Sequence, residues 1–219
     1  MTSQRGLSKV GTIKAGPSPI LSRITDLLFV CVAAYLFIGY ALLLLRPISA
    51  LVLVRETFST VYLLMALAFL AFRKNMRTYT TRRVDYIYTI LGFGAPLLFQ
   101  LSSYAGAIFV GILLEAIGTV LVAGALLSLN RSFGLAPENR GIKTAGAYRL
   151  VRHPMYLGYI LAEVGYVVTY FSDFNLFVLA ISVLFLMLRL RAEEQLLAQD
   201  QVYRNYSKKT RWKLIPFLF

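Results

Sequence analysis

Two clusters in this 219-residue chain hold most of the side chains that could do chemistry. The first reads Gly146-Ala147-Tyr148-Arg149-Leu150-Val151-Arg152-His153-Pro154-Met155-Tyr156-Leu157-Gly158, where a polar loop enters an apolar stretch. Pro154 suits the first turn of a helix, where no amide donor is missed, and the orphan amides of such a start favour a carboxylate or phosphate. The same residues could equally form a snorkelling arginine, a capping histidine and two interfacial tyrosines. The second cluster is Arg189, Arg191, Glu193 and Glu194, followed by Tyr203 and Tyr206. Arg189 and Glu193 share a helical face, and adjacent glutamates at a helix end oppose the helix dipole unless a cation offsets them. A bound cation or an arginine would do so; a solvated charged end with internal pairs is the alternative.

Other candidates are weaker. Glu115 and Glu163 lie in apolar runs, where a carboxylate needs a partner or water, so each reads as a helix-to-helix hydrogen bond or as part of an ion pathway. Gly92-Phe93-Gly94 lacks the third glycine and the preceding strand of a dinucleotide fingerprint and reads as helix packing. The chain has one cysteine, Cys31, and one histidine, His153. A zinc site takes three or four such ligands, so no metal centre of that kind is expected.

The elements that must position these clusters follow from composition. Hydrophobic residues make up 58% of the chain and charged residues 15%, with a mean hydropathy of +0.67. A soluble domain of this length needs more surface charge, so the pattern implies an all-α integral membrane bundle. Leu27 to Leu45 is an uncharged first span, too long for a cleaved signal peptide, and Thr57 to Phe72 the core of a second. Tyr86 to Asn130 forms a third and fourth around a turn at Gln100 to Ser103 and Gly106, and Leu157 to Ser172 and Phe174 to Leu188 a short hairpin hinged at Asp173-Phe174-Asn175. Of the 23 lysines and arginines, only Arg46 and Arg55 fall outside Met1 to Arg23, Arg73 to Asp85, Arg131 to Pro154 and Arg189 to Phe219. About six spans put these four stretches on one side, with both termini cytoplasmic by the positive-inside rule. The net charge of +13 then reflects topology, and no motif points to nucleic acid. The expected organisation is a tail at 1–23, four transmembrane helices at 24–128 and a polar-ended region at 129–219, whose two clusters face each other across one site.

Ser128 to Gly158, with Arg189, Glu193-Glu194, Tyr203, Tyr206 and Ile215-Pro216, resembles the isoprenylcysteine carboxyl methyltransferase family, which is related to the membrane phospholipid N-methyltransferases. Its specific part is Arg-His-Pro-x-Tyr-x-Gly with a downstream Glu-Glu; residues before Ser128 match only as apolar spans. The resemblance implies S-adenosylmethionine bound in a cytoplasmic pocket of the C-terminal half. Arg140, Gly141, Ile142 and Lys143 would line it by backbone contacts, with Tyr148, His153, Pro154, Met155 and Tyr156 around it and Glu193, beside Glu194, on the cofactor's ammonium. Arg189 would face the methyl acceptor, with Arg191 able to exchange roles with it. The expected partners are the lipid bilayer and a lipophilic small-molecule or prenylated acceptor, without nucleic acid or metal. The expected activity is a methyltransferase, with a carboxyl acceptor favoured. The rivals are an amine or thiol methyltransferase on the same scaffold, a nicotinamide-dependent membrane reductase and a transporter. Three positions depart from the family: Gln199-Asp200 replace Phe-Gly before the tail tyrosines, and Ala147 replaces a proline.

Overall fold

The computed structural model describes residues 20–45, 53, 60, 64–100 and 107–218. Residues 1–19 of the N-terminal tail, residues 57–59 and 61–63 of the second span and most of the turn expected at Gln100 to Gly106 lie outside the described residues. The helices are α1 (Ile20–Leu43), α2 (64–71), α3 (Arg83–Gly94, continued by a 3-10 turn at Ala95–Leu98), α4 (Ile108–Leu129), α5 (Pro154–Thr169), α6 (Asp173–Leu197) and α7 (Gln201–Lys209). One two-stranded antiparallel ribbon joins β1 (Thr78–Tyr79) to β2 (Glu138–Asn139), pairing Thr78 with Asn139 and Tyr79 with Glu138. The chain is thus mostly helical. Among the described residues, three helices are long and apolar enough to cross a membrane: Ile20–Leu42, Ile108–Ser132 and Asp173–Leu197.

Of the short hairpin expected of the last two helices, α5 is short at 16 residues but α6 is not. α6 is one helix of 25 residues, about 37 Å at about 1.5 Å per residue and more than the ~30 Å of a hydrocarbon core. Arg189 does not end the helix, because its guanidinium is buried against neighbouring elements while the helix continues to Leu197. The main partner of α5 is α4. Glycines spaced seven apart on both helices let the two backbones touch: a Cβ on Gly118 would stand 2.6 Å from Gly158 O, and one on Gly165 2.5 Å from Gly111 O. Close approach of this kind suits apolar surroundings, where association rests on packing between small residues rather than on hydrophobic exclusion.

α6 packs on α3. Gly92 accepts Leu186 closely, with the nearest side-chain atom 3.3 Å from where a Cβ would lie, and Ser182 Oγ donates to Gly92 O at 3.2 Å. Ser182 Oγ is also 2.9 Å from Glu163 Oε1, so Glu163 makes the helix-to-helix hydrogen bond that was one of its two readings. At the start of α6, Asn175 is no hinge. It is fully buried; its Nδ2 donates to Gln100 O (2.8 Å) and Tyr170 O (2.7 Å), and its Oδ1 accepts from Gln100 N (2.9 Å). One side chain therefore ties together the ends of three segments. Ser172 caps the same helix by accepting from Asn175 N.

At the other end of α6 the polar stretches converge. Ser22 near the start of α1 donates to Glu138 (2.7 Å), Arg73 pairs with Asp26, and Tyr206 of α7 donates to Tyr148 O (2.7 Å). The tail runs back along the start of α5, with Arg152 N donating to Trp212 O and His153 N to Lys213 O. Starts of α1, α3 and α5 and ends of α2, α4 and α6 thus lie together at one end of the bundle.

Candidate functional site

That end is built on the loop from Arg131 to Lys143, which interior ion pairing holds open. Arg140 Nε donates to Glu138 Oε2 at 2.8 Å, Arg140 Nη1 reaches Lys74 O, and Glu138 Oε1 takes the Ser22 hydroxyl. Both residues of the pair are buried, a costly arrangement unless every partner is in place, and here the pair is also hydrogen-bonded to α1 and to the segment before β1. Burial pulls the Arg140 guanidinium below its ordinary value, and the adjacent Glu138 carboxylate opposes that pull. Gly134 leaves room for this pair, since a Cβ there would meet Glu138 Oε2 at 2.8 Å. Gly141, with a φ of +109°, reverses the chain so that Ile142 and Lys143 follow it along the cavity. Asn139 fixes that reversal, accepting from Gly141 N (2.9 Å) and donating to Asp200 (3.0 Å). Asp200 also caps α7 by accepting from Val202 N. The departure at Gln199-Asp200 therefore has a structural role: it joins the loop to the tail by side-chain hydrogen bonds.

The second wall is the start of α5 together with α7. Glu194 receives Tyr203 OH, lies 2.6 Å from His153 Nε2 and pairs with Arg152 Nε at 3.4 Å. It is the hub that fastens the end of α6 to α5 and α7. Burial and the neighbouring Glu194 carboxylate push the Tyr203 phenol upward, and burial pushes Tyr206 up to about 12, so both keep their protons at neutral pH and act as donors. Tyr148 is raised by burial in the same way.

Between these walls lies a cavity of about 770 Å³, part of it open to solvent. Arg140, Gly141, Ile142, Lys143, Tyr148, His153, Met155 and Tyr156 line it, as do Arg189 and Glu193. Pro154 and Glu194 do not: Pro154 is buried in the first turn of α5, and Glu194 is engaged by His153, Tyr203 and Arg152. The adjacent glutamates have thus divided. Glu193 faces the cavity with the Tyr156 hydroxyl, at 2.6 Å, as its one hydrogen-bond partner among the described residues. Arg189 and Arg191 divide similarly, with Arg191 exposed and Arg189 4% exposed at the cavity wall.

Arg189 carries the strongest electrostatic feature of the site. Its Nε and Nη2 donate to Leu135 O and its Nη1 to Tyr156 OH, and its Cζ lies 4.8 Å from the Phe93 ring centroid and 5.0 Å from that of Tyr156. A guanidinium has five N–H donors, and these bonds engage three of them. No carboxylate lies within ion-pair distance of Arg189 among the described residues. A buried cation held by a carbonyl, a phenol and two ring faces, with donors left over, is suited to an anionic ligand.

Sequence reasoning missed Phe93, the Leu135 carbonyl and Tyr159, a cavity-lining residue whose ring meets that of Phe93 edge-on at 5.3 Å. Phe93 stood in plain view between Gly92 and Gly94, but only the contact of α3 with α6 reveals that it stacks on Arg189. The glycine spacing shared by α4 and α5 was a usable signal for their packing. A search of curated proteins found no match to the chain. Residues 107–205, somewhat less than half of the chain, match the phospholipid methyltransferase family, so α4 through most of α7, the region that builds most of the cavity, is similar to a family of membrane methyltransferases.

Proposed function

We propose that the protein is an S-adenosylmethionine-dependent methyltransferase, multi-pass in the membrane with both termini cytoplasmic, acting on a lipophilic acceptor that presents a carboxylate. The observation that carries this reading is the pairing, at one cavity, of a carboxylate, Glu193, and a buried guanidinium, Arg189, which among the described residues have a single hydrogen-bond partner and no ion-paired carboxylate respectively. The residues present fit the cofactor. Its ammonium calls for an anion, and Glu193 supplies one; its cationic sulfonium suits aromatic surroundings, and Tyr148, Tyr156 and Tyr203 line the cavity. The loop of Gly141, Ile142 and Lys143 lines the same cavity beside these groups. When bound, the cofactor supplies an electrophilic methyl group, whose transfer to a carboxylate oxygen leaves a neutral thioether.

The protein's own work is orientation and exclusion of water. A carboxylate is already ionised near pH 7 and needs no general base, so Arg189 has only to hold it, through the N–H groups that Leu135 and Tyr156 leave over. His153 is engaged with Glu194 and has no base role here. An amine acceptor is the second reading, favoured by the name of the matched family. It would have to lose a proton and enter beside the Arg189 cation. Labelled S-adenosylmethionine offered with a panel of prenylcysteine, phospholipid amine, thiol and isoprenoid-acid acceptors tests both. Label in a base-labile ester supports the carboxyl reading, label on an amine supports the second, and no label in any acceptor rejects methyl transfer to these classes.

A further inference from the structure

Arg189 and Glu193 lie one helical turn apart on α6 but are joined through a residue of α5. Tyr156 OH accepts from Arg189 Nη1 and donates to Glu193 Oε2 at 2.6 Å. A phenol has one proton to give and lone pairs to receive, so this chain has a fixed direction: guanidinium to phenol to carboxylate. Tyr156 itself is 4% exposed, its ring standing edge-on to His153 at 5.4 Å and beneath the Arg189 guanidinium at 5.0 Å. The buried guanidinium and the half-buried carboxylate at the two ends of this chain compensate each other's charge, and such chains polarise as units.

We propose that the Tyr156 hydroxyl couples the two ligand positions, so that a cation on Glu193 raises the affinity of Arg189 for an anion and an anion on Arg189 raises that of Glu193 for a cation. This rests on the functional reading above. An ammonium drawn onto Glu193 takes up charge that was compensating Arg189, and the guanidinium then has more attraction to offer an acceptor carboxylate. The converse holds by thermodynamic linkage, which requires the two effects to be equal. Tyr156 is therefore a positioning residue that acts through Arg189 and Glu193. The consequence is that each ligand binds best to the form already holding the other, so that the complete complex is favoured over either half.

The test uses the full chain in neutral detergent, with S-adenosylhomocysteine, which has no methyl to transfer, and dodecanoate as the lipophilic anion. Calorimetric affinity for S-adenosylhomocysteine is measured with and without saturating dodecanoate, in the wild type and in Tyr156→Phe. The expected result is at least about a fivefold tightening by dodecanoate in the wild type, the low end of typical coupling between sites, falling to less than twofold in Tyr156→Phe. Replacing dodecanoate by dodecylamine should abolish the tightening. An equal coupling factor in both proteins, or none in the wild type, overturns the proposal while leaving the methyltransferase reading intact. No binding of S-adenosylhomocysteine to the wild type overturns both. Tyr156→Phe removes one oxygen from a packed ring, and a merely structural role for it would shift affinity or melting without changing the ratio.

Discussion

The two ends of α6 both bury polar side chains, yet they do opposite things with them. At its start, Asn175 has both side-chain atoms satisfied by backbone from the segment after α3 and from the end of α5, and nothing remains to meet a ligand. At its other end, Glu194 is likewise closed by His153, Tyr203 and Arg152, but Glu193 and Arg189 keep capacity that the protein does not fill. Burial of polar groups therefore does not by itself mark a site. What marks it is a buried or half-buried group whose hydrogen-bonding inventory is incomplete beside a cavity.

The comparison breaks most severely at Asn175. Asn175→Ala removes three hydrogen bonds of a fully buried side chain, to Gln100 N and O and to Tyr170 O, each worth about 0.5–1.5 kcal/mol net and more where water cannot replace the lost partner. A loss of about 3 kcal/mol or more in stability is expected, read as a large drop in detergent-solubilised melting temperature. Affinity for S-adenosylhomocysteine in the surviving folded fraction should stay within about twofold. A smaller but still structural effect is expected from Gly165→Ala. Its methyl would meet Gly111 O at 2.5 Å and Glu115 N at 2.6 Å, so α4 and α5 must separate, at a cost of about 1–3 kcal/mol. Melting should fall and cofactor affinity should follow only as far as the α5 start moves.

The cavity end should respond the other way. Arg189→Lys keeps the charge but loses the planar fork, and turnover with a carboxylate acceptor should fall at least about tenfold, about 1.4 kcal/mol, with little change in cofactor affinity. Full turnover in Arg189→Lys would count against a carboxylate held by this residue. Arg191→Ala sharpens the same comparison from the exposed side of the helix. Stability and turnover should both stay within about 0.5 kcal/mol of wild type, the usual range for a surface substitution.

Much of this contrast was legible in the sequence, though unevenly. Periodic apolar runs and the placement of lysines and arginines gave the helices and the gathering of the polar stretches, because helix length and backbone satisfaction leave few other arrangements for such a composition. The Arg-His-Pro start and the Glu-Glu pair pointed to the second wall of the cavity and to the end of α6 that meets it. The division between Glu193 and Glu194 was not legible, since it depends on which face of α6 meets α5 and α7. Nor was the end of the sixth helix at Leu197, because Arg189 reads as a terminator until Leu135, Phe93 and Tyr156 are seen to receive it. Asn175 reads as a turn residue by type and became a buried clamp through contacts 75 residues away in sequence. Pro154 was rightly expected in the first turn of α5, but it packs in the interior and stays off the cavity.

The central claim, that the incompletely satisfied end of α6 holds the cofactor, meets its most direct test in calorimetric titration of S-adenosylhomocysteine into wild type, Glu193→Gln and Glu194→Gln, each with its melting temperature. Wild-type binding that weakens by about 1.5–3 kcal/mol in Glu193→Gln at unchanged melting temperature, with Glu194→Gln losing melting temperature first, is the predicted result. Undiminished affinity in Glu193→Gln would contradict it.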